Sequence, residues 1–424
     1  MVLLIAPGRS QDIYQELSEF ASIEPPIWAC LLQSGLEEKG ILTHLIDQEA
    51  ESFSNKEILN SIVELEPDLV VIVVYGHQPS ASTQTMHAAS LLINEIEGKA
   101  PILLVGGHPS ALPRETLQKE KVNYVAKGEG LNTILGLVIG ESLSQVPGLY
   151  YKMVSKIYLS DIPDKKASTL DETYPGIKWN SLPIWKYRAH NWHVLANPES
   201  INSYAAIYTS LGCPFKCSFC CINAPFDSNS FRYWSPKHTV NQIEILSKDY
   251  GIENLKIADE MFVLKEAHFL EICKGITQRN IKMNSWAYAR VDTVKPHYLE
   301  TLKKAGINWL ALGIESGSQY VRDGVTKGRF KMDDIYRTVK TIQEHGIYVI
   351  GNYIFGLPDD TEESMKETYE MASELNTEFA NFYSAMAYPG SPLYLQTKAE
   401  ELPDTYLGYS QHAYETKPLR TRMV

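Results

Sequence analysis

Apolar residues in the first third of the chain fall in continuous runs rather than in alternation. Val2-Leu-Leu-Ile-Ala6, His44-Leu-Ile-Asp47, Leu69-Val-Val-Ile-Val-Val74, Ile102-Leu-Leu-Val105 and Val122-Asn-Tyr-Val-Ala126 read as strands. Helical periodicity fills the gaps, around 26–39, 55–65, 82–97 and 113–119, with a last helix after Gly130. Strands that are apolar on both faces, alternating with helices, predict a parallel sheet covered by helices on each side. After a break the rhythm returns. Strands are predicted at 205–208, 255–258, 283–289, 309–314, 348–355 and 379–386, with helices at 236–249, 265–279, 296–305, 332–345 and 361–375. Six βα units are too few for a closed eight-stranded barrel and suit an open, partial one.

The fold class is therefore α/β: a Rossmann-like doubly wound parallel sheet followed by a partial (β/α)6 TIM-type barrel. Residues 1–145 form the first domain and 201–395 the barrel. Between them, 146–200 reads as a linker that begins with a hairpin, Pro147–Lys152 and Lys156–Ser160, and continues as a connector rich in Pro, Asp, Tyr and Trp. Its aromatics are expected mostly to pack. Residues 396–424 form a polar tail, which either folds over the barrel mouth or stays partly without fixed structure.

Composition narrows the classes. A net charge of −12 and a pI near 5.5 argue against sequence-independent binding to nucleic acid, which needs a basic face. No apolar run approaches the ~20 residues of a membrane span. The start, Met1-Val-Leu-Leu-Ile-Ala-Pro-Gly8, has neither a basic region nor a small-residue cleavage site, so a cytoplasmic location is expected. Reduced cysteines suit that compartment.

The candidate chemistry starts at Cys213-Pro-Phe-Lys-Cys217-Ser-Phe-Cys220, which holds three of the chain's six cysteines. It follows a strand and includes Gly212 and Pro214, so the thiols sit on a loop. Thiolates so close together are metal ligands before they are disulfides. Three are one short of the four ligands that close a four-iron cube or a structural zinc site, which leaves one coordination position open. The bland alternative is a set of buried small hydrophobes. That is the reading for Cys30 and Cys273, and Cys221 is placed as a packing or supporting neighbour.

Polar residues gather at the predicted C-terminal strand ends. In the barrel these are Asp259-Glu260, Arg290, Asp292, Glu315-Ser316 and Gly356. A buried carboxylate such as Glu315 needs a partner, and an internal salt bridge, for example to Arg290, is the structural alternative to ligand binding. In the first domain they are Tyr75-Gly-His-Gln-Pro-Ser-Ala-Ser-Thr83, Gly106-Gly-His-Pro-Ser110 and Gly128-Glu129-Gly130. Open sheets of this kind bind ligands beyond these ends. Taken singly, these glycines and serines are turns and caps. No GxGxxG follows the first strand, so a dinucleotide site is unsupported.

The CxxxCxxC spacing, with Phe219 before the last Cys, resembles the signature of the radical S-adenosylmethionine (SAM) superfamily, and the barrel resembles its core over nearly full length. The first domain, through Glu24-Pro-Pro-Ile-Trp28, Pro79–Ser82, Gly106–Ser110 and Gly128–Gly130, resembles the cobalamin-binding domain that precedes this core in one large subfamily. The resemblance implies that Cys213, Cys217 and Cys220 hold a 4Fe–4S cluster whose fourth iron takes the amino and carboxylate groups of SAM. Asp259, Glu260, Arg290, Glu315 and Ser316 would touch SAM, with Arg290 on its carboxylate. Phe219, Ile354 and Gly356 would lie about the adenine. Tyr75, Gly76, His77, Gln78, Ser80, Ser82, Thr83, Gly106, Gly107, His108, Gly128 and Glu129 would lie about cobalamin. One departure is that the second strand ends Asp47-Gln-Glu-Ala-Glu51, with no cobalt-ligating His; His77 and Gln78 follow the third strand and are candidates for the lower face, with a solvated loop histidine the equal alternative. Family members also commonly continue into a further helical segment.

The implied activity is methyl transfer from methylcobalamin to an unactivated carbon, begun by a 5′-deoxyadenosyl radical, with an electron donor such as flavodoxin or ferredoxin. Alternatives on the same scaffold are a cobalamin-dependent oxidation, cyclisation or ring rearrangement, and a radical SAM enzyme that no longer uses cobalamin. A plain iron–sulfur carrier would require a fourth Cys ligand and no SAM pocket. The substrate is a small molecule, or part of a glycan or lipid; the sequence does not choose between them.

Overall fold

The computed structural model describes residues 1–8, 10–76, 81–154, 156–328, 330–411, 413–419 and 421. The first sheet contains β1 Val2–Ala6, β2 Thr43–Asp47, β3 Leu69–Val74, β4 Ile102–Gly106, β5 Tyr124–Ala126, β6 Leu149–Met153 and β7 Lys156–Leu159. Its order is β2-β1-β3-β4-β5-β6-β7. The first five strands are parallel; β6 and β7 add on antiparallel. The hairpin predicted after the first domain thus extends that domain's sheet. β3 and β4 are buried along their whole length, as their unbroken apolar sequences require. Helices Ile27–Glu38, Asn55–Leu65, Ala81–Ile96 and Pro113–Lys119 cover the sheet.

The barrel begins with β8 Tyr204–Ile207. A small antiparallel pair follows, β9 Ser210–Leu211 with β10 Arg232–Tyr233, and the cysteine loop lies between its two strands. Then come β11 Asn254–Ile257, β12 Asn284–Arg290, β13 Ile307–Glu315, β14 Tyr348–Phe355 and β15 Phe379–Ser384. The second sheet, six-stranded and parallel, runs β15-β14-β13-β12-β11-β8. This is the partial (β/α)6 arrangement. Its N-terminal end is closed by the connector. His193 bonds Asn284 O at 2.9 Å, and Trp192 packs edge-on against Trp286 and Trp309.

A single apolar core runs from Val2 through the connector's Tyr174, Trp179 and Tyr187 to Leu375. The two sheets are therefore packed on each other rather than tethered. The tail lies over both. Tyr406 Oη donates to Glu120 at 2.8 Å and Tyr414 Oη to Glu16 at 2.5 Å, while Gln411 bonds Ser384 O at 2.6 Å and Leu419 N bonds Ala385 O at 2.9 Å. No described helix is long and apolar enough to cross a membrane.

Candidate functional site

The cysteine loop is fixed from every side. Gly212 enters it at φ +84°, and a Cβ there would meet Ser230 O at 2.4 Å, so only glycine fits. Asn223 brackets Cys213, accepting from its N–H at 3.3 Å and donating to its carbonyl at 2.9 Å. Ser218 N bonds Val325 O at 3.0 Å, Leu393 N bonds Ser218 O at 2.8 Å, and Thr326 Oγ1 bonds Lys216 O at 2.5 Å.

All six cysteines are free thiols, and those at 213, 217 and 220 are half-buried. Burial pushes Cys213 up to about 11 and Cys220 well above the ordinary thiol value, with the neighbouring thiols adding to each shift. The three groups thus sit within electrostatic reach of one another. A metal would have to displace their protons. No three described His, Cys, Asp or Glu side chains already close on one point.

The strand-end residues divide into committed and open groups. Asp259 is committed: Thr209 N, Thr209 Oγ1 and Ser210 Oγ donate to it at 2.6, 2.5 and 2.6 Å. It anchors the turn into the cysteine loop. Ser316 is also committed, at 3.2 Å from Thr368 Oγ1 and 3.2 Å from Ser318 N. Arg290 forks onto Asp292, with both bonds at 2.9 Å, rather than onto a waiting ligand. Glu315 sits at φ +69°, a left-handed conformation costly for a residue with a Cβ, where β13 slips register against β14. Its partner is Lys327, at 2.6 Å in a buried pair, and not Arg290.

Glu260 is the open group. Its Oε2 is shielded from solvent and has no hydrogen-bond partner. Burial, with Asp259 beside it, raises its carboxyl to about 8. Tyr208, Tyr288 and Tyr383 are also pushed up by burial and by nearby carboxylates, Glu260 for the first two and Glu315 for the last. Phe219 and Ile354 meet in a small apolar cluster with Val321, Val325, Leu357, Ala385 and Leu419. Gly356 closes it, its N–H donating to Asp360 at 3.0 Å.

At the first sheet's strand ends, most predicted groups are engaged by protein. Ser82 Oγ donates to Val74 O at 2.5 Å and accepts from His108 N at 2.9 Å. The His108 ring meets Thr83 Oγ1 at 3.2 Å, and burial pushes it down to about 3, so it is neutral. Gly106 is required by packing, since a Cβ would lie 2.1 Å from Val74 O. Gly128 is held through its N–H and carbonyl by Ser110 Oγ, at 3.1 and 3.2 Å. Glu129, predicted at the cofactor, is taken by Arg232, Tyr174 and Ala167 N, because a buried carboxylate needs partners and the barrel and the connector supply them. His77, Gln78 and Ser80 lie outside the described residues.

Two cavities separate the sheets. The larger is lined by Gly8, Asp47, Tyr75 and Gly76 from the first sheet's strand ends, by Glu24 and Trp28, and by Tyr208 and Ala258 of the barrel. The smaller joins Thr83, Gly107 and His108 to Cys221 beside the cysteine loop. Tyr75 lines both, stacked on Trp28 at 4.7 Å with its hydroxyl unpartnered. Sequence reasoning did not single out Lys327, Arg232, Asp164 or the lumen tyrosines. Only a three-dimensional partner marks them, and none belongs to a short motif.

Comparison with known proteins matches this geometry. The family model described as the Radical SAM superfamily matches residues 207–372, and that described as the B12 binding domain matches 17–138. The chain thus carries a radical SAM domain preceded by a B12-binding domain. It is 27% identical over 409 residues to an uncharacterized methyltransferase of Pyrococcus horikoshii, covering 95% of this chain and 84% of that one. It is 25% identical to the anaerobic magnesium-protoporphyrin IX monomethyl ester cyclase of Cereibacter sphaeroides, covering 96% of this chain and 65% of the cyclase. Its fold is that of the radical SAM methyltransferase TsrM from Kitasatospora setae, solved with cobalamin and a [4Fe-4S] cluster: TM-score 0.73, 18% identity, 99% of this chain and 83% of that one.

Proposed function

We propose that this chain is a cobalamin-dependent radical SAM methyltransferase acting on an unactivated carbon of a small molecule. The observation that carries the reading is the placement of Tyr75. It lines both cavities between the strand ends of the B12-binding sheet and the barrel, the smaller of which reaches Cys221, next in sequence to the cysteine motif. Cys213, Cys217 and Cys220 would hold the cluster and leave one iron for SAM. Glu260, with its orphaned oxygen, would accept the α-amino group of SAM. Phe219, Ile354 and Gly356 would flank the adenine, and Glu315, held by Lys327, would border the site. Asp259 and Ser316 position those groups without touching SAM.

The cavities beside Tyr75, Gly76, Thr83, Gly107 and His108 would hold the corrin. Ser82, Gly106, Gly128 and Glu129 build the walls behind it. When bound, the cluster and SAM supply a hydrogen-abstracting radical and the methylated corrin supplies the methyl group. The chain's own work is to bind these groups, keep water out and hold the acceptor carbon between them. A reduced flavodoxin or ferredoxin would provide the electron, in the cytoplasm.

A second reading, oxidative cyclisation without methyl transfer, is kept open by the likeness to the cyclase. Anaerobic reconstitution with iron, sulfide and hydroxocobalamin tests the first. An iron–sulfur band, a corrin band and SAM cleavage are expected together. Uptake of iron with no uptake of corrin would overturn methyl transfer and leave an ordinary radical SAM enzyme. Where both bind, mass spectrometry of metabolites with and without the enzyme separates a gain of one methyl group from a loss of hydrogen.

A further inference from the structure

Arg290 stands at the end of β12, where a SAM-carboxylate contact was expected, but it is turned elsewhere. Its Nε and Nη2 donate to the two oxygens of Asp292, each at 2.9 Å. Nη2 also donates to the backbone oxygen of Lys327. The guanidinium carbon lies 3.8 Å from the ring centroid of Phe215, inside the cysteine loop. Nη1 then points at Sγ of Cys217, 3.5 Å away. The fork, the ring and the carbonyl define one orientation, and that orientation serves the sulfur.

The charge balance is uneven. The Arg290 side chain is 5% exposed and the Asp292 side chain 36%, so water screens the anion more than the cation. A cation and an N–H at a cluster sulfur favour the more negative, reduced cluster, because potentials follow net charge and hydrogen bonds to sulfur.

We propose that Arg290 is a positioning residue that fixes the Cys217 thiolate and raises the reduction potential of the cluster carried by Cys213, Cys217 and Cys220. This rests on the cluster reading above. Reduction adds one electron from an external flavin or iron–sulfur donor to the cluster; Arg290 keeps its protons and no bond is broken.

The test is an anaerobic, dithionite-driven redox titration followed by electron paramagnetic resonance, without SAM, on reconstituted wild type, Arg290→Gln, Arg290→Lys and Asp292→Asn. Iron and sulfide are counted first. The expected result is a lower midpoint in Arg290→Gln, by at least the ~59 mV that a tenfold change in a one-electron equilibrium represents. Arg290→Lys recovers part of that shift, and Asp292→Asn, which removes the opposing anion, moves the midpoint up. Equal midpoints in wild type and Arg290→Gln, with SAM binding lost in the variant, would assign Arg290 to the SAM carboxylate and overturn the proposal. If Arg290→Gln takes up no iron, Asp292→Asn decides: an unchanged or lower midpoint there also overturns it. Wild type that takes up no iron would instead bring down the cluster reading itself.

Discussion

Both sheets end in polar loops and use them differently. At the first sheet's carboxyl ends, polar groups are matched to one another and to the barrel: Ser82 to His108, Ser110 to Gly128, Glu129 to Arg232, and Asp164 to Gly130 and Asn132. What remains there is shape, two cavities and an aromatic stack. At the second sheet's ends, Asp259, Ser316 and Arg290 are matched too, but no disulfide joins the three thiols, only Cys217 has a side-chain donor on it (Arg290), and one oxygen of Glu260 has no partner. A large cofactor rich in neutral amides can be held by a cavity wall and backbone groups. A cluster and a cationic amine need acidic groups that the protein leaves free, and burial keeps such groups protonated until a ligand takes the proton's place.

The sharpest break is at the unmatched side. Cys217→Ala removes one of the three proposed cluster ligands, so iron content and the visible iron–sulfur band should fall to background and SAM cleavage below detection. The corrin band should survive, because no first-sheet group is touched. Loss of both bands would mean that the two sites are one folding unit. On the matched side the effect should be on stability. Arg232→Met leaves the Glu129 carboxylate buried without its cation, held only by Tyr174 Oη and Ala167 N, which costs about 3–5 kcal/mol, measured by urea unfolding of the empty protein. An unchanged midpoint would return Glu129 to the cofactor.

This contrast was half legible in the sequence. Continuous apolar strands gave both sheets, because a run buried on two faces has a local signature. The cysteine loop was legible for the same reason, since Cys213, Cys217 and Cys220 lie on one short loop. Pairings were not. Glu129 meets Arg232 across 103 positions, and Glu315 took Lys327 instead of Arg290, with nothing periodic to announce either. The hairpin at 149–159 was legible as a hairpin, while its docking on β5 was not, since edge pairing depends on which strand lies open. Strand-end residues were thus located by rhythm, but whether each faced a ligand or another residue depended on contacts far along the chain.

A smaller effect tests the orphaned oxygen. In the empty protein burial holds Glu260 near 8, against an ordinary 4.5. The unfolded chain ionises first, so the folded state binds the extra proton between those values. Stability present below pH 4.5 is lost as pH rises towards 8, at no more than about 1.4 kcal/mol per unit. Glu260→Gln should match wild type at the acid end and exceed its stability at the alkaline end. Parallel curves would show that the carboxyl has a partner after all, and the division between open and committed strand ends would lose its main example.

The finest test returns to the first sheet. Ser82 Oγ lies between Val74 O and His108 N, and Ser82→Ala leaves that buried N–H without an acceptor. The expected cost is about 1–3 kcal/mol in urea unfolding. Hydroxocobalamin uptake, followed by its absorbance, should change little, because the hydroxyl faces the protein. His108 and Thr83, which do line a cavity, supply the control: Thr83→Val should weaken corrin uptake more than it weakens the fold. The opposite ordering, with Ser82→Ala stable but unable to take up corrin, would make the matched loops ligand-facing. The two sheets would then differ in the charge of what they bind and no longer in how they bind it.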